Sequence, residues 1–139
     1  MKRNESISHV MSKDPIVAHH GMKVSEVRRM MVEHGIHHVP VVSGKRLLGL
    51  ISATDMMRLS LSAYGSDERA MDAMLDHQFT IEQVMSAHLT TIASHATVRD
   101  AAEKLRGGKF HSLPVVDGEG ELVGIVTSTD LINYLLEQY

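Results

Sequence analysis

The spacing of apolar residues predicts two helices that occupy equivalent places in the chain, 74 residues apart. A short extended stretch precedes each helix, at residues 16–17 and 90–92, and glycine ends each one, at Gly35 and at Gly107-Gly108. Thr97 and Asp100 have the spacing of a capping box at the start of the second helix. The predicted apolar faces are Val24, Val27, Met30 and Met31 in the first helix and Val98, Ala101, Ala102 and Leu105 in the second.

Each of these helices leads into two strands with a tight turn between them, and then into a further helix. The turns are Ser43-Gly44 and Asp117-Gly118, whose residue types favour a reversal of the chain. The final helix of each series begins at a Thr-Asp step, because aspartate at a helix start caps free backbone N–H groups. The predicted strands are 39–42, 47–51, 113–116 and 122–126, and the final helices start at Thr54-Asp55 and Thr129-Asp130.

Residues 62–79 link the two series. A third kind of helix is predicted inside this linker, over residues 67–75, after a break at Tyr64-Gly65-Ser66. Its apolar side consists of Ala70, Met71, Met74 and Leu75.

The two series are an internal duplication, because three blocks recur in the same order. Two blocks recur at an offset of 74 residues and the third at 75, so one residue is inserted, which we place in the turn Asp117-Gly118-Glu119-Gly120. One copy of about 50 residues is marginal as a domain, so we expect both copies to form a single folding unit over residues 1–139. The recurring blocks are Val10-Met11-Ser12 with Val84-Met85-Ser86, Val39-Pro40-Val41-Val42 with Leu113-Pro114-Val115-Val116, and residues 49–55 with 124–130.

Composition narrows the class of protein. The chain has 139 residues, of which 43% are apolar, so we expect a globular domain. The net charge of -3 gives no reason to expect nucleic acid as a partner, and the absence of cysteine excludes disulfides and thiolate metal sites. No apolar run approaches the roughly 20 residues of a membrane span, and no apolar segment follows the charged N-terminus. We therefore expect no membrane association, no signal peptide and a cytoplasmic location.

Catalytic and metal-binding motifs are not found in the sequence. Ten histidines are present, including His34, His37 and His38 near a helix end, but none falls in a His-Glu-x-x-His pattern. There is no Gly-x-Ser-x-Gly elbow, Walker-type loop or Gly-x-Gly-x-x-Gly after a strand. We therefore predict no catalytic residue, no metal site and no required cofactor, and we expect that the chain is not an enzyme.

The duplicated pattern resembles the cystathionine-β-synthase (CBS) repeat, which it shows twice. The resemblance rests on Pro-Val-Val, a turn that contains glycine, and then Gly-hydrophobic-hydrophobic-Ser/Thr-x-x-Asp, with Val-Met-Ser at the start of both copies. It covers residues 6–61 and 80–138. The resemblance implies a mixed α/β (α+β) fold, with one β-α-β-β-α unit per repeat packed about a pseudo-twofold axis. It also implies a stand-alone regulatory pair that binds AMP, ADP, ATP, S-adenosylmethionine or a similar ligand in the cleft between the repeats.

The resemblance also implies the ligand-binding residues, as one set in each copy. Asp55 and Asp130 would accept hydrogen bonds from the two ribose hydroxyls, because a carboxylate offers two oxygens to a vicinal diol. Ser52 and Thr127 would bond ribose or phosphate. The other candidates lie close by in each copy: Thr54 and Thr129 beside the ribose; Ile16, Val17, Ile36 and Val39, or Thr90, Thr91, Phe110 and Leu113, around the adenine; and His37, His38, His111 and Ser112 near phosphate.

In the family that the chain resembles, some members carry arginine at the position of His38 or Ser112. Because arginine is absent from both positions here, the sequence does not favour strong polyphosphate binding. Histidine titrates near neutral pH, which raises the hypothesis that phosphate affinity increases on acidification.

Simpler readings of the same residues stand beside these. Asp55 and Asp130 have the pattern of helix caps, Ser52 and Thr127 the pattern of strand ends, and Phe110 the pattern of a core residue. The alternative function is a dimerising adaptor that binds no nucleotide, and an enzyme is the least favoured class. In the leading hypothesis the chain forms a homodimer and passes its signal to a separate effector protein.

Overall fold

The computed structural model describes residues 4–61 and 65–139, so the N-terminal charged residues 1–3 and the linker residues 62–64, including Tyr64 of the predicted break, lie outside the described residues. The strands are β1 (Ser12–Lys13), β2 (Ala18–His19), β3 (His38–Ser43), β4 (Arg46–Ser52), β5 (Ile92–Ala93), β6 (Ser112–Val116) and β7 (Leu122–Thr127). The helices are α1 (Val24–His34), α2 (Ala53–Leu61), α3 (Glu68–Gln78), α4 (Ile81–Val84), α5 (Val98–Leu105) and α6 (Ser128–Glu137), with a single 3-10 turn at Ile7–His9.

The mixed α/β fold is confirmed, and both copies follow the predicted order of elements. These are β2-α1-β3-β4-α2 in the first copy and β5-α5-β6-β7-α6 in the second. The short first strand of each copy lies further along the chain than predicted, because Ala18 pairs with Val41 and Ile92 with Val115 in parallel register. The linker helix is present as α3, and the short strand β1 and short helix α4 were not predicted.

The chain divides into two compact units. Unit 1 comprises Met1–Pro15, Lys45–Leu47 and Thr90–Tyr139, and unit 2 comprises Ile16–Gly44 and Leu48–Leu89. Unit 1 contains a four-stranded sheet in the order β1-β7-β6-β5, and a three-stranded sheet has the order β2-β3-β4. The prediction that the whole chain forms one module stays a prediction.

Each unit is completed by the leading segment of the other sequence copy. Ser12 of the first copy pairs antiparallel with Ile125 on β7, inside unit 1. Ser86 of the second copy pairs with Leu50 on β4, inside unit 2, through backbone hydrogen bonds of 2.9 and 3.1 Å. Ile7 and Ile81, which occupy equivalent positions in the two leading segments, are 0% and 1% exposed in the cores of units 1 and 2. The units of the structure therefore differ from the repeats of the sequence.

The repeated glycine of the strand block lies beneath the crossing segment. A Cβ atom on Gly124 would lie 2.7 Å from the Met11 sulfur and 2.9 Å from the backbone oxygen of Ser12. A Cβ atom on Gly49 would lie 2.5 Å from the Met85 sulfur and 2.9 Å from the backbone oxygen of Ser86. One contact, between the Val-Met-Ser segment of one copy and the glycine in the strand block of the other, therefore explains why both features recur.

Two hydrophobic clusters form the cores, one in each unit. The predicted faces of α1 and α5 point into them, except that Met30 and Val98 are only half-buried and Ala102 is exposed, so these three positions lie at the edge of the apolar stripe or outside it. The cluster of unit 2 contains Ala18, Val24, Val27, Met31, Val39, Val41, Ile51, Met56, Leu75 and Ile81; that of unit 1 contains Ile7, Ile92, Ala101, Leu105, Leu113, Val115 and Val126.

The linker helix α3 supplies the N-terminal cap of α1. Lys23 occupies the cap position of α1 and makes no capping bond with its side chain. Asp76 of α3 replaces it, because its carboxylate accepts from the Ser25 backbone N–H at 2.9 Å and from the Ser25 hydroxyl at 2.6 Å. The linker helix therefore contributes to the core of unit 2. Leu75 is fully buried and Met71 and Met74 pack against the cluster, while Ala70 is exposed.

Substitution of the crossed glycines tests the strand exchange. We expect Gly49→Ala and Gly124→Ala each to lower the free energy of unfolding by about 1–3 kcal/mol, because a backbone oxygen must move to admit the methyl group. Gly107→Ala is the matched control, because nothing lies within 4 Å of its Cβ position. Urea unfolding measures all three, and equal stability of Gly49→Ala and Gly107→Ala would contradict the exchange.

Removal of the Asp76 carboxylate tests whether Asp76 of α3 caps the N-terminus of α1. We expect Asp76→Ala to lower the free energy of unfolding by about 1–3 kcal/mol, because a backbone N–H and a buried hydroxyl lose their acceptor. His77→Ala, at the exposed neighbouring position, should change it by less than about 0.5 kcal/mol. Thermal or urea unfolding of both variants makes the comparison, and a loss of similar size in both would argue against the cap.

The ion pair between α1 and α3 predicts a dependence of stability on pH. Hydrogen bonding to Arg28, at 2.7 Å, holds the pKa of Asp72 below its ordinary value. The resulting stabilisation is complete above the unfolded pKa of about 3.9 and is lost as pH falls through the lower folded pKa. In urea unfolding, wild type should therefore exceed Asp72→Asn in stability at about pH 7 by more than at about pH 3. A difference that stays constant with pH would refute this assignment.

Candidate ligand-binding site

The candidate residues of each sequence copy fall within one unit. The first set, from Ile16 to Asp55, lies in unit 2, and the second set, from Thr90 to Asp130, lies in unit 1. In both units the strand that follows Pro-Val-Val leads directly into the final helix, which brings the ends of two strands and the start of a helix together. Each unit thus carries its own half-site, described separately below.

In unit 2, Asp55 and Ser52 bond to each other across the start of α2. One carboxylate oxygen of Asp55, Oδ2, accepts from the Ser52 hydroxyl at 2.8 Å and from the Ser52 backbone N–H at 3.2 Å. The Asp55 backbone N–H donates to the Ser52 hydroxyl at 3.1 Å. The half-buried carboxylate is therefore held in one orientation, and its Oδ1 has no hydrogen-bond donor among the residues that the structure describes.

In unit 1, Asp130 and Thr127 form a capping box at the start of α6. Asp130 Oδ2 accepts from the Thr127 backbone N–H at 2.8 Å, and the Asp130 backbone N–H donates to the Thr127 hydroxyl at 3.1 Å. Asp130 is half-buried, as Asp55 is, and its Oδ1 has no donor within the described ranges 4–61 and 65–139. Both copies therefore fix the equivalent carboxylate through Oδ2, with one additional bond, from the Ser52 hydroxyl, in unit 2.

Both aspartates cap their helices, and the capping box at the start of α5 has the same arrangement. Asp100 accepts from the Thr97 backbone N–H at 3.0 Å at the start of α5, which confirms the predicted box. This bond, followed by the one with the Thr97 hydroxyl, holds the pKa of Asp100 below its ordinary value. Asp100 is exposed and lies outside both half-sites. A cap and a ligand contact are compatible, because capping occupies only one carboxylate oxygen in each box.

Backbone bonds attach the histidine positions to the helix starts. The Ala53 N–H donates to the carbonyl of His37 at 2.8 Å, and the Ser128 N–H donates to the carbonyl of His111 at 2.9 Å. Both histidine side chains are exposed, and His38 is half-buried. The structure therefore places the backbone of His37 and His111 beside the starts of the helices that carry the aspartates.

Ser112 is a buried hydroxyl without a partner in unit 1. Its side chain is 4% exposed, and its oxygen has no hydrogen-bond partner among the described residues. Ser112 lies opposite Thr127 in the β6–β7 register, so the two side chains share one face of the sheet. Leaving a buried hydroxyl unpaired costs about 1–3 kcal/mol. The position of the Ser112 hydroxyl beside the capping box therefore indicates a hydrogen-bond partner that the described residues do not supply.

Several predicted adenine contacts lie in or against the cores. Val39 and Leu113 are 0% exposed inside their clusters, so they present no surface to a ligand and we assign them to the core. Ile36 and Phe110 are half-buried and pack against the clusters. The remaining candidates are accessible at the same ends of the units: Ile16, Thr54, Thr90 and Thr129 are exposed, and Val17 and Thr91 are half-buried.

Two residues near these sites were missed by sequence reasoning. The Tyr134 hydroxyl on α6 is buried without a hydrogen-bond partner among the described residues, although the pattern marked only an apolar helical position. Arg58 lies on α2 three residues after Asp55, and the fixed offset between the copies was a signal that could have singled it out, because the equivalent residue is Asn133.

No group of three or more potential metal ligands occurs in the described part of the chain. None of its helices has the length and apolarity to cross a bilayer.

Known proteins show the same architecture. The chain is 30% identical over 132 residues to "Uncharacterized protein MJ1225" of Methanocaldococcus jannaschii. The alignment covers 94% of this chain and 47% of that protein. The chain spans less than half of the length of this and several other curated relatives.

Two solved structures superpose over nearly their full lengths. The CBS domain pair of protein MJ0100, in complex with 5′-methylthioadenosine and S-adenosyl-L-methionine, has a TM-score of 0.78 and 26% identity, over 98% of this chain and 99% of that one. CBSX2 in complex with AMP has a TM-score of 0.80 and 22% identity, over 96% and 98%. The sequence model of the CBS domain matches residues 7–62 and 81–137. With both repeats matched and the β-α-β-β-α order present in each, the chain belongs to the CBS domain family.

Proposed function

We propose that this CBS pair is a regulatory module that binds an adenosine-containing ligand, with AMP, ADP, ATP and S-adenosylmethionine as the candidate compounds. The observation that carries the proposal is the matched state of Asp55 and Asp130. Each carboxylate is fixed by a cap through Oδ2 while Oδ1 remains without a donor from the described residues. The same geometry in two copies, at the positions where the family resemblance places ribose contacts, favours a shared ligand chemistry.

The chemistry of the half-sites fits a ribose better than a metal or a peptide. A free carboxylate oxygen accepts a strong hydrogen bond from a hydroxyl group, and a pre-oriented carboxylate loses little entropy when it does so. In unit 1 the unpartnered Ser112 hydroxyl offers a further donor and acceptor beside Thr127. The relative MJ0100, whose CBS pair is 26% identical, holds two adenosine compounds, which supports the same ligand class here.

Regulation requires that the ligand favours one state of the module over another. A ligand shifts an equilibrium only by the difference between its affinities for the two states. We propose that this difference is passed to a separate effector protein, that the module performs no catalysis, and that it needs no cofactor besides its regulatory ligand. The cytoplasmic location and the absence of a nucleic-acid partner remain predictions.

Self-association is part of the proposal. The last helix of each copy exposes two apolar residues at equivalent positions one turn apart. These are Met57 and Leu61 on α2, 61% and 65% exposed, and Ile132 and Leu136 on α6, 57% and 67% exposed. Paired apolar faces of the same design suit contact with a second copy of the chain, so we propose a homodimer.

The same apolar faces favour a second candidate function, a dimerising adaptor that binds no nucleotide. In that case Asp55 and Asp130 would serve only as caps, and Ser112 would remain unpaired. The two candidates differ in one measurable property, which is stabilisation by adenosine compounds.

Ligand binding and its location are tested with three equivalent carboxylates. At about 100 times its Kd, a bound compound should stabilise the wild-type chain by roughly 2.7 kcal/mol. In a thermal-shift panel of AMP, ADP, ATP and S-adenosylmethionine, we expect Asp55→Ala or Asp130→Ala to reduce the shift. Asp100→Ala should keep it, because this variant loses the same kind of cap outside the half-sites. No thermal shift with any compound would favour the adaptor. An equal loss of the ligand-induced shift in all three variants would mean that Asp55 and Asp130 act only as helix caps.

A further inference from the structure

One helix position beside the half-sites differs in charge between the two copies. Arg58 of α2 and Asn133 of α6 lie at the same place in the duplication, 75 residues apart, and each follows its ribose-binding candidate by three residues. Both carboxylates accept from the backbone N–H three residues earlier through Oδ2, and Asp55 accepts from the Ser52 hydroxyl as well. The difference therefore lies at a position that is well placed to distinguish ligands.

The helix brings position 58 near the group attached to a bound sugar. Residues three apart are neighbours on one helical face, and one helical turn advances about 5.4 Å. A ribose held at Asp55 by its diol directs its 5′ substituent away from the carboxylate. The long, exposed side chain of Arg58 has the reach to meet that substituent.

The charge of Arg58 is available for such a contact. Arg28 and Arg29 pair with the linker helix α3, whereas Arg58 makes no ion pair among the residues described. Three acids of that helix are already engaged: Glu68 and Asp72 by Arg28, and Asp76 by Ser25. A guanidinium group is always charged and presents a planar set of donors that matches phosphate oxygens.

The neighbouring side chains strengthen the contrast between the half-sites. Unit 2 presents two histidines, the exposed His37 and the half-buried His38. At the equivalent positions unit 1 presents His111 and the buried, uncharged hydroxyl of Ser112. Unit 2 is thus equipped for an anionic group, and unit 1 for an uncharged one.

We propose that the two half-sites select ligands by charge at the 5′ position: Arg58 makes the unit 2 half-site prefer an adenosine compound that carries a 5′-phosphate, and Asn133 leaves the unit 1 half-site without that preference. This rests on the proposed function, because it requires that each aspartate holds a ribose. Arg58 is then a specificity-determining residue.

Calorimetric titration of the full chain with AMP and with adenosine tests the proposal, because the two compounds differ only in the phosphate. Arg58→Asn should weaken AMP binding about tenfold and leave adenosine binding within about twofold, because one charged contact is lost. Arg106→Asn is the matched control, since Arg106 is exposed and its loss changes the net charge equally. Arg58→Lys should retain most of the AMP affinity.

The reverse substitution isolates the other half-site. In an Asp55→Ala background, which removes the ribose carboxylate of unit 2, Asn133→Arg should strengthen AMP binding about tenfold relative to adenosine. Equal effects of Arg58→Asn on AMP and adenosine, or no effect on either, would overturn the charge selection while leaving ligand binding intact. No gain from Asn133→Arg would also overturn it. If neither compound binds the wild-type chain, the proposed function itself fails.

Discussion

The close approach of two backbones at Gly49 and Gly124 is the constraint on which both units depend. At each glycine, the crossing segment of the other sequence copy brings a methionine sulfur and a serine carbonyl to within 3 Å of the place where a Cβ atom would stand. The crossing also carries Ile7 and Ile81 into the two cores. The second copy alone would lack the outer strand β1 of unit 1, and either copy alone would lack a buried core residue, so the duplication has to be present in full for either unit to be complete.

The second recurring feature is the capping of free backbone N–H groups at helix starts, which the chain achieves in two different ways. The helices α5 and α6 carry their own capping boxes, and Ser52 with Asp55 does the same work for α2. Helix α1, whose cap position is Lys23, takes its acceptor from Asp76 of the linker helix. The local caps are also what prepares the candidate site, because a bond through Oδ2 fixes each carboxylate and leaves Oδ1 for a ligand.

The duplication separates what the fold requires from what the site can vary. The crossed glycine and the cap aspartate are the same in both copies. The glycine leaves room for backbone and side-chain atoms that a Cβ atom would meet, and the aspartate accepts from a backbone N–H at the helix start. Positions 38 and 112, and positions 58 and 133, differ between the copies, with histidine and serine at the first pair and arginine and asparagine at the second. This pattern fits a sensor in which one framework carries two half-sites of unequal chemistry.

Local patterns in the sequence determined the order of elements, the ends of helices and the duplicated fold, because helix periodicity, glycine stops and capping boxes act within a few residues. The box of Thr97 and Asp100 and the C-terminal glycine of α1, Gly35 with φ of 61°, are such cases.

Only the tertiary structure decided which segment belongs to which unit, because the bonds of Ser12 and Ser86 join residues far apart in the chain. Long-range packing likewise placed Val39 in the core and buried the Ser112 hydroxyl away from any partner that the described residues offer, although both belonged to the predicted sites. Burial depends on every neighbour at once, and the periodicity of one strand records only which side chains share a face, not what will cover them.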